Sequence, residues 1–274
     1  MMRGINHEYY GDKVVVNCAT CHQGQPQPVA SPAIAQGAWQ PLEKKVAGEQ
    51  PVTLPQLEEV LEKYLRAIGG KAAVEGLRTQ MLKSTRTSFN KMTPPQTSSL
   101  EVYKEAPNKL LVIATLPGVV TYQGFNGTVA WVSYPGEHRE VPGAEALRLQ
   151  RRAEFYGDLK LSERYRRLSV LGKERLGERE AFVMEALPAD EESEKLYFDS
   201  ETGLLVRRRV DFKTVLGVVP EVTGYEDYRA VDGIKLPFTI RWSRPPNSWR
   251  QKFTEIRHQL VIERSKFDLP AQPR

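Results

Sequence analysis

The sequence is poor in cysteine, has no long apolar run, and carries no large excess of either charge. Each shortage excludes something. Only two of 274 residues are Cys, and with no second Cys-x-x-Cys or His pair the chain does not supply the four ligands of a structural zinc site. No apolar run approaches the roughly 18 residues that a membrane-spanning helix needs. Thirty-nine basic residues face 34 acidic ones, for a net charge of +5. That mild surplus favours an acidic partner or an anionic lipid surface and does not demand nucleic acid. No interleaving of aromatic and basic residues marks a nucleic-acid partner, and no internal repeat is present. A Ser/His/Asp order, a phosphate-cradling glycine loop and paired catalytic carboxylates are all missing, so no enzyme is expected. A composition of 40% hydrophobic and 27% charged residues is that of a folded chain, not a disordered or collagenous one.

The chain divides by texture. Residues 1–32 hold both cysteines, and residues 33–52 form a linker broken by Gly37, Pro41, Gly48 and Pro51. Residues 53–274 carry the periodic patterns. Thr53 is a candidate N-cap for a helix over 53–68, with Pro55 and two glutamates in its first turn. Leu54, Leu57, Val60, Leu61, Tyr64, Leu65 and Ile68 recur at spacings of three and four and make one apolar stripe. Gly69-Gly70 stops it, and a short second helix is expected over 71–77. From Arg78 the pattern becomes antiparallel sheet, with a hairpin signal at Asn126-Gly127 and an interrupting helix over 144–155. About 10–12 short-looped strands must curl. The expected class is α+β, mainly β: a curved antiparallel sheet or open barrel with a helical lid, preceded by a short irregular haem segment. Its concave face is expected to enclose an apolar cavity able to hold an acyl chain or other lipophile, the alternative being a core filled by its own side chains.

The motif that carries chemistry is Cys18-Ala19-Thr20-Cys21-His22. Cys-x-x-Cys-His is the attachment signature of c-type haem, with Cys18 and Cys21 as the covalent attachment points and His22 as proximal iron ligand. A thioredoxin-like pair would need a βαβ context that residues 1–50 lack. The sixth ligand would come from Met1, Met2, His7, His138 or His258. A Met opposite His suits electron transfer. Other conspicuous residues have plainer readings. His258 on an apolar strand is a core or rim histidine before it is a ligand, and Arg207-Arg208-Arg209 reads as a solvated strand face.

Two resemblances add to this. Met1-Met2-Arg3-Gly4-Ile5-Asn6, together with Val14 to Gly24, resembles the last haem-binding segment of the photosynthetic reaction-centre cytochrome c subunit family. That resemblance implies one haem c per chain, His22 as proximal ligand, Met2 as distal ligand, and a redox partner protein. It places Met1 in the middle of a helix, so a longer natural chain with an export signal is expected. Residues 52–270 resemble the periplasmic lipoprotein-carrier type of fold, through Tyr64-Leu65-Arg66-Ala67-Ile68-Gly69-Gly70, the stretch Leu196 to Leu205, and Val231 to Pro237. This second resemblance implies an open barrel with a helical lid and no specific ligand residues.

The functional expectation is therefore a periplasmic c-type cytochrome-like electron-transfer protein fused to a lipophile-binding β-domain, touching membranes at the surface only. The alternative is a non-redox periplasmic lipid- or lipoprotein-binding or docking protein whose haem segment is vestigial.

Overall fold

The structure is a computed structural model that describes His7 and residues 54–270, apart from 91, 158, 189–192 and 215–216. Two units divide the chain, Met1–Val52 and Thr53–Arg274, and the second is described here. Cys18, Cys21, His22 and Met2 lie outside the described residues, as do the N-cap candidate Thr53 and the linker.

Helix α1 (Leu57–Ala67) has Gln56 as its N-cap. The Glu59 carboxylate accepts the Gln56 backbone N–H at 3.0 Å, which satisfies one of the donors a helix start leaves orphaned. Val60, Tyr64 and Ile68 of the apolar stripe are buried. Helix α2 spans Lys71–Gly76, α3 spans Gly143–Ala153, and α4 spans Leu161–Arg164. A short 3₁₀ turn, Arg264–Phe267, lies near the C-terminus.

All thirteen described strands join one antiparallel sheet. They are β1 (Thr79–Asn90), β2 (Thr93–Glu105), β3 (Lys109–Leu116), β4 (Val119–Phe125), β5 (Ala130–Tyr134), β6 (Glu137–Glu140), β7 (Arg167–Leu176), β8 (Arg179–Leu187), β9 (Glu194–Asp199), β10 (Leu205–Thr214), β11 (Gly217–Val231), β12 (Ile234–Arg244) and β13 (Asn247–His258). The spatial order is β6-β5-β4-β3-β2-β1-β13-β12-β11-β10-β9-β8-β7. Two meanders are thus joined at the middle by the first and last strands, Gln80 facing His258 and Asn90 facing Asn247. The sheet is open, since β6 and β7 are its two edges. The expected 10–12 strands become thirteen because Glu137-His138-Arg139-Glu140 pairs along β5 as an edge strand with no apolar residue to announce it. Register shifts at Lys83/Ser84, Ser88/Asn90, Val170/Gly172 and Leu205/Arg207 each add local bend and twist.

The helices cover one face at both ends. Val60, Tyr64 and Ile68 of α1 pack with Met184, Leu196, Phe198 and Ile234. Leu149 and Ala153 of α3 pack with Leu110, Val112, Phe125 and Val132. The opposite face has its own small clusters, Leu111 and Trp131 under Phe267, and Ala181, Val183 and Tyr197. Trp131 is 1% exposed and donates its indole N–H to the Phe267 carbonyl at 2.8 Å, pinning the C-terminal turn to the sheet. The ring lies directly on Gly124, where a Cβ would sit 2.2 Å from it. Gly124→Ala must therefore push the indole off its carbonyl, and an overpacking cost of about 2 kcal/mol is expected. A lower urea midpoint at unchanged slope reads it; an unchanged midpoint would place the ring elsewhere.

Candidate functional site

Between α1 and α3 the covered face leaves a cavity of about 1280 Å³, above the roughly 300–1,000 Å³ of ordinary small-molecule pockets. Alternation puts its floor on the inward positions of the central strands: Leu100, Val112, Val210, Ile240 and Phe253 among them. Tyr64 and Ile68 close one side from α1, while Arg148, Arg151 and Arg152 face it from α3. Those three arginines stand at i, i+3 and i+4, which is one face of a helix. Leu149 and Ala153 take the neighbouring face into the core.

The wall is not the purely apolar one expected. Among the described residues, nine lysines and arginines line the cavity against three glutamates. Some of this charge is neutralised in place. Arg208, the middle of the arginine triplet, makes a two-pronged ion pair with Glu194, through Nε to Oε2 and Nη2 to Oε1. The Tyr165 hydroxyl donates to the same carboxylate at 2.9 Å, and burial raises the phenol pKa above its usual range. The solvated-face reading of the triplet is thus corrected at its centre. The bulge between Leu205 and Arg207 brings Leu205 to the face of Arg208 and turns Val206 out against Tyr197 and its cluster. Arg244 lies 3.9 Å from Glu221, with its guanidinium over the Phe212 ring.

Arg86 and Arg152 are held differently. Arg86 donates Nε and Nη2 to the Gln251 side-chain carbonyl at 3.1 and 2.7 Å. Gln251, itself buried, passes its amide N–H on to Ser84 Oγ at 2.9 Å. The Arg86 guanidinium also lies 4.5 Å over the Trp249 ring, a cation–π contact that fixes its plane. Trp249 in turn stacks on Trp242. Arg152 donates to the Gln123 side-chain carbonyl at 3.1 Å. Burial, and after it the charge of Arg152, push Arg86 down to about 10; burial likewise lowers Arg152. Both guanidiniums stay charged at neutral pH. Arg152 is exposed and lines the cavity from α3.

His258, an axial-ligand candidate, is buried on β13 between the cavity-lining Gln80, 3.1 Å from its Nε2, and Asp232, 3.1 Å from its Nδ1. His138 bonds Ser133 at 2.8 Å on the edge hairpin. Neither belongs to a metal-binding group, for no cluster of three or more His, Cys, Asp or Glu occurs among the described residues. No described helix is long and apolar enough to cross a membrane. The residues that shape the site, Arg86, Arg152, Gln123 and Gln251, were not singled out by the sequence reading. The spacing of Arg148, Arg151 and Arg152 on α3 is a signal for Arg152 alone.

No protein-family model matches the chain, and no curated protein matches it in sequence. Solved structures do match in fold. A LolA superfamily protein from Nitrosomonas europaea superposes with a TM-score of 0.56 at 14% identity, covering 78% of this chain and 98% of that one. A DUF1329 family protein from Desulfovibrio piger gives 0.56 at 12% identity, with the same two coverages. A candidate outer membrane lipoprotein-sorting protein domain from Vibrio parahaemolyticus gives 0.53 at 15%, covering 77% and 97%. The described chain has a LolA-like fold.

That finding corrects the expectation of a haem- and iron-binding cytochrome c of photosynthetic reaction-centre type that transfers electrons. The fold matched is LolA-like, and no metal-holding group occurs among the described residues. The physical reason is one of scale. A five-residue signature reports thiol chemistry at one point of the chain and says nothing about the sheet that follows, which folds around an aliphatic and aromatic core without a cysteine among its described residues.

Proposed function

We propose that the Thr53–Arg274 unit is a lipophile-binding protein, not a redox carrier or an enzyme, and that it works in the periplasm. The cavity carries this reading: about 1280 Å³ of space on the covered face of an open sheet, with an aliphatic and aromatic floor and helices along both sides. A chain-like apolar group laid on that floor would bury its surface at roughly 25 cal/mol per Å², without the sheet having to close. The LolA-like fold supports the proposal, as does the lipoprotein-sorting description of the Vibrio parahaemolyticus domain. An acylated or otherwise amphiphilic molecule, not a redox protein, is the partner it favours.

Purified protein should bind an environment-sensitive apolar dye saturably and release it to a long-chain amphiphile, and native mass spectrometry should find a co-purifying lipophile. Ala114 faces the cavity from β3, so Ala114→Trp fills the space without opening a void. Dye affinity is expected to fall about tenfold or more, equivalent to about 1.4 kcal/mol, with the thermal midpoint kept. A folded protein with no saturable dye binding and no bound lipophile would overturn the proposal.

A further inference from the structure

Two cations of the cavity wall, half-buried Arg86 and exposed Arg152, stand without counter-ions. Among the described residues neither Arg86 nor Arg152 has a carboxylate within 4.0 Å, whereas Arg208 and Arg244 of the same wall each have a glutamate. What holds them instead is a pair of neutral amides, Gln251 and Gln123. An amide carbonyl fixes a guanidinium's direction but does not cancel its charge. A guanidinium carries five N–H donors; Gln251 takes two from Arg86 and Gln123 takes one from Arg152. The rest remain available to a guest. Arg86 is half-buried, and desolvating a cation with no opposite charge is unfavourable; Arg152, exposed along the same cavity, adds a second positive charge that Arg86 feels. An anion bound beside them in the cavity offsets both charges. Arginine is also the side chain whose planar fork matches carboxylate and phosphate oxygens.

The surroundings are built to keep the arrangement in place. Arg86 is clamped edge-on by Gln251, which Ser84 orients, and face-on by Trp249. Arg152 is fixed by Gln123 and by the packing of Leu149 and Ala153 on either side of it along α3. The apolar floor begins beside them with Leu100, Val112 and Phe253. We propose that Arg86 and Arg152 form a binding site for the anionic head, carboxylate or phosphate, of an amphiphile whose chain lies on that floor. The proposal rests on the lipophile-binding reading and gives the ligand its charge class.

The test compares probes of one chain length on the full chain. Palmitate and monohexadecyl phosphate are set against hexadecanol, with acetate and inorganic phosphate as headgroups lacking a chain, all read by displacement of a bound apolar dye and by the protein's thermal midpoint. The anionic amphiphiles are expected to displace dye at about tenfold lower concentration than the alcohol, and added salt should narrow the gap. Arg152→Met, which removes the cation from a helix side chain that keeps accessible surface, should abolish the preference and leave hexadecanol unchanged. Arg86→Met should do the same. If that variant fails to fold through loss of the Gln251 network, Arg86→Lys, keeping charge but not the fork, should retain part of the preference. Equal displacement by palmitate and hexadecanol in the wild type would overturn the anion site and leave the lipophile reading standing. Failure of every amphiphile, with inorganic phosphate alone raising the midpoint in an Arg152-dependent way, would overturn the amphiphile and with it the lipophile reading.

Discussion

Removing the Glu194 carboxylate is expected to be among the most destabilising single changes in the domain. Glu194 is 1% exposed and receives both prongs of Arg208 and the hydroxyl of Tyr165. In Glu194→Ala the cation stays behind, with 24% of its side chain exposed, and the phenol loses its acceptor. Breaking a buried pair from one side costs about 3–5 kcal/mol, because the surviving charge is left uncompensated. For a domain of this size each kcal/mol lowers the midpoint by about 2–4 °C, so a fall on the order of 10 °C is expected. Replacing both charges together, Glu194→Leu with Arg208→Met, should restore most of the loss, since a well-packed apolar pair can equal a buried ion pair. The comparison is a double-mutant cycle read by urea unfolding. The cycle is closed by Glu194→Leu and Arg208→Met as single variants, and if the double variant loses the sum of those two losses, the side chains do not share an interaction. If Glu194→Ala costs less than about 1 kcal/mol, as for an exposed pair, the ion pair is not buried.

That pair also shows where reading the chain by pattern reaches its limit. Nearly every strand of the two meanders was legible, because apolar alternation and turn residues are local signals. Even the misplacements have local causes. After the Asn126-Gly127 turn, β5 begins only at Ala130 because the Asn126 side chain accepts the N–H groups of Thr128 and Val129 at 3.1 and 2.9 Å, taking those residues out of the ladder. Alternation alone sets Arg208 on the face of Val210 and Phe212; the bulge after Leu205, which has no composition of its own, brings Leu205 to that face and turns Val206 away from it. The junction of β1 with β13, which places Arg86 opposite Gln251, joins segments from the two ends of the domain, and no periodicity within either announces it. The cavity's charge was hidden for the same reason. Arg86 and Arg152 are ordinary surface-type residues in sequence, and only the curvature of the sheet and the crossing of α3 bring them to one space.

The docking of α1 onto the sheet depends on Gly69, and Gly69→Ala is expected to undo it. The helix ends in a double closure: Gly70 N–H reaches the Leu65 carbonyl at 2.8 Å, and Gly69 N–H reaches that of Arg66 at 3.2 Å. These are the two bonds of a Schellman ending. Gly69 adopts φ +125°, backbone that an L-residue enters only with strain. Its missing side chain is also where the sheet comes closest. A Cβ there would lie 2.1 Å from the Gly233 carbonyl oxygen and 3.3 Å from Ile234 Cα, at the β11–β12 turn. Neither backbone atom can swing aside as a side chain would. The same contact carries the bond from Lys235 N–H to the Ile68 carbonyl at 2.8 Å, so relieving the clash breaks a tie between helix and sheet. Gly70 provides the control, since its φ is +88° but a Cβ there meets nothing within 4 Å. Gly70→Ala should therefore cost only its backbone penalty, about 1–3 kcal/mol, because φ +88° with ψ 165° is backbone that glycine alone adopts freely. Gly69→Ala should add to a backbone penalty of that order an overpacking cost of about 1–3 kcal/mol, for a total of roughly 4 kcal/mol. The loss should be uneven as well as larger. Hydrogen exchange at Val60 to Ile68 should quicken well before exchange in β2 to β4, because α1 can lift while the far meander keeps its own core under α3. Tyr64 and Ile68 would leave the cavity wall with it, so dye binding should weaken in Gly69→Ala and persist in Gly70→Ala. Equal stability and equal exchange in the two variants would mean that the helix end does not rest on the Gly233 turn.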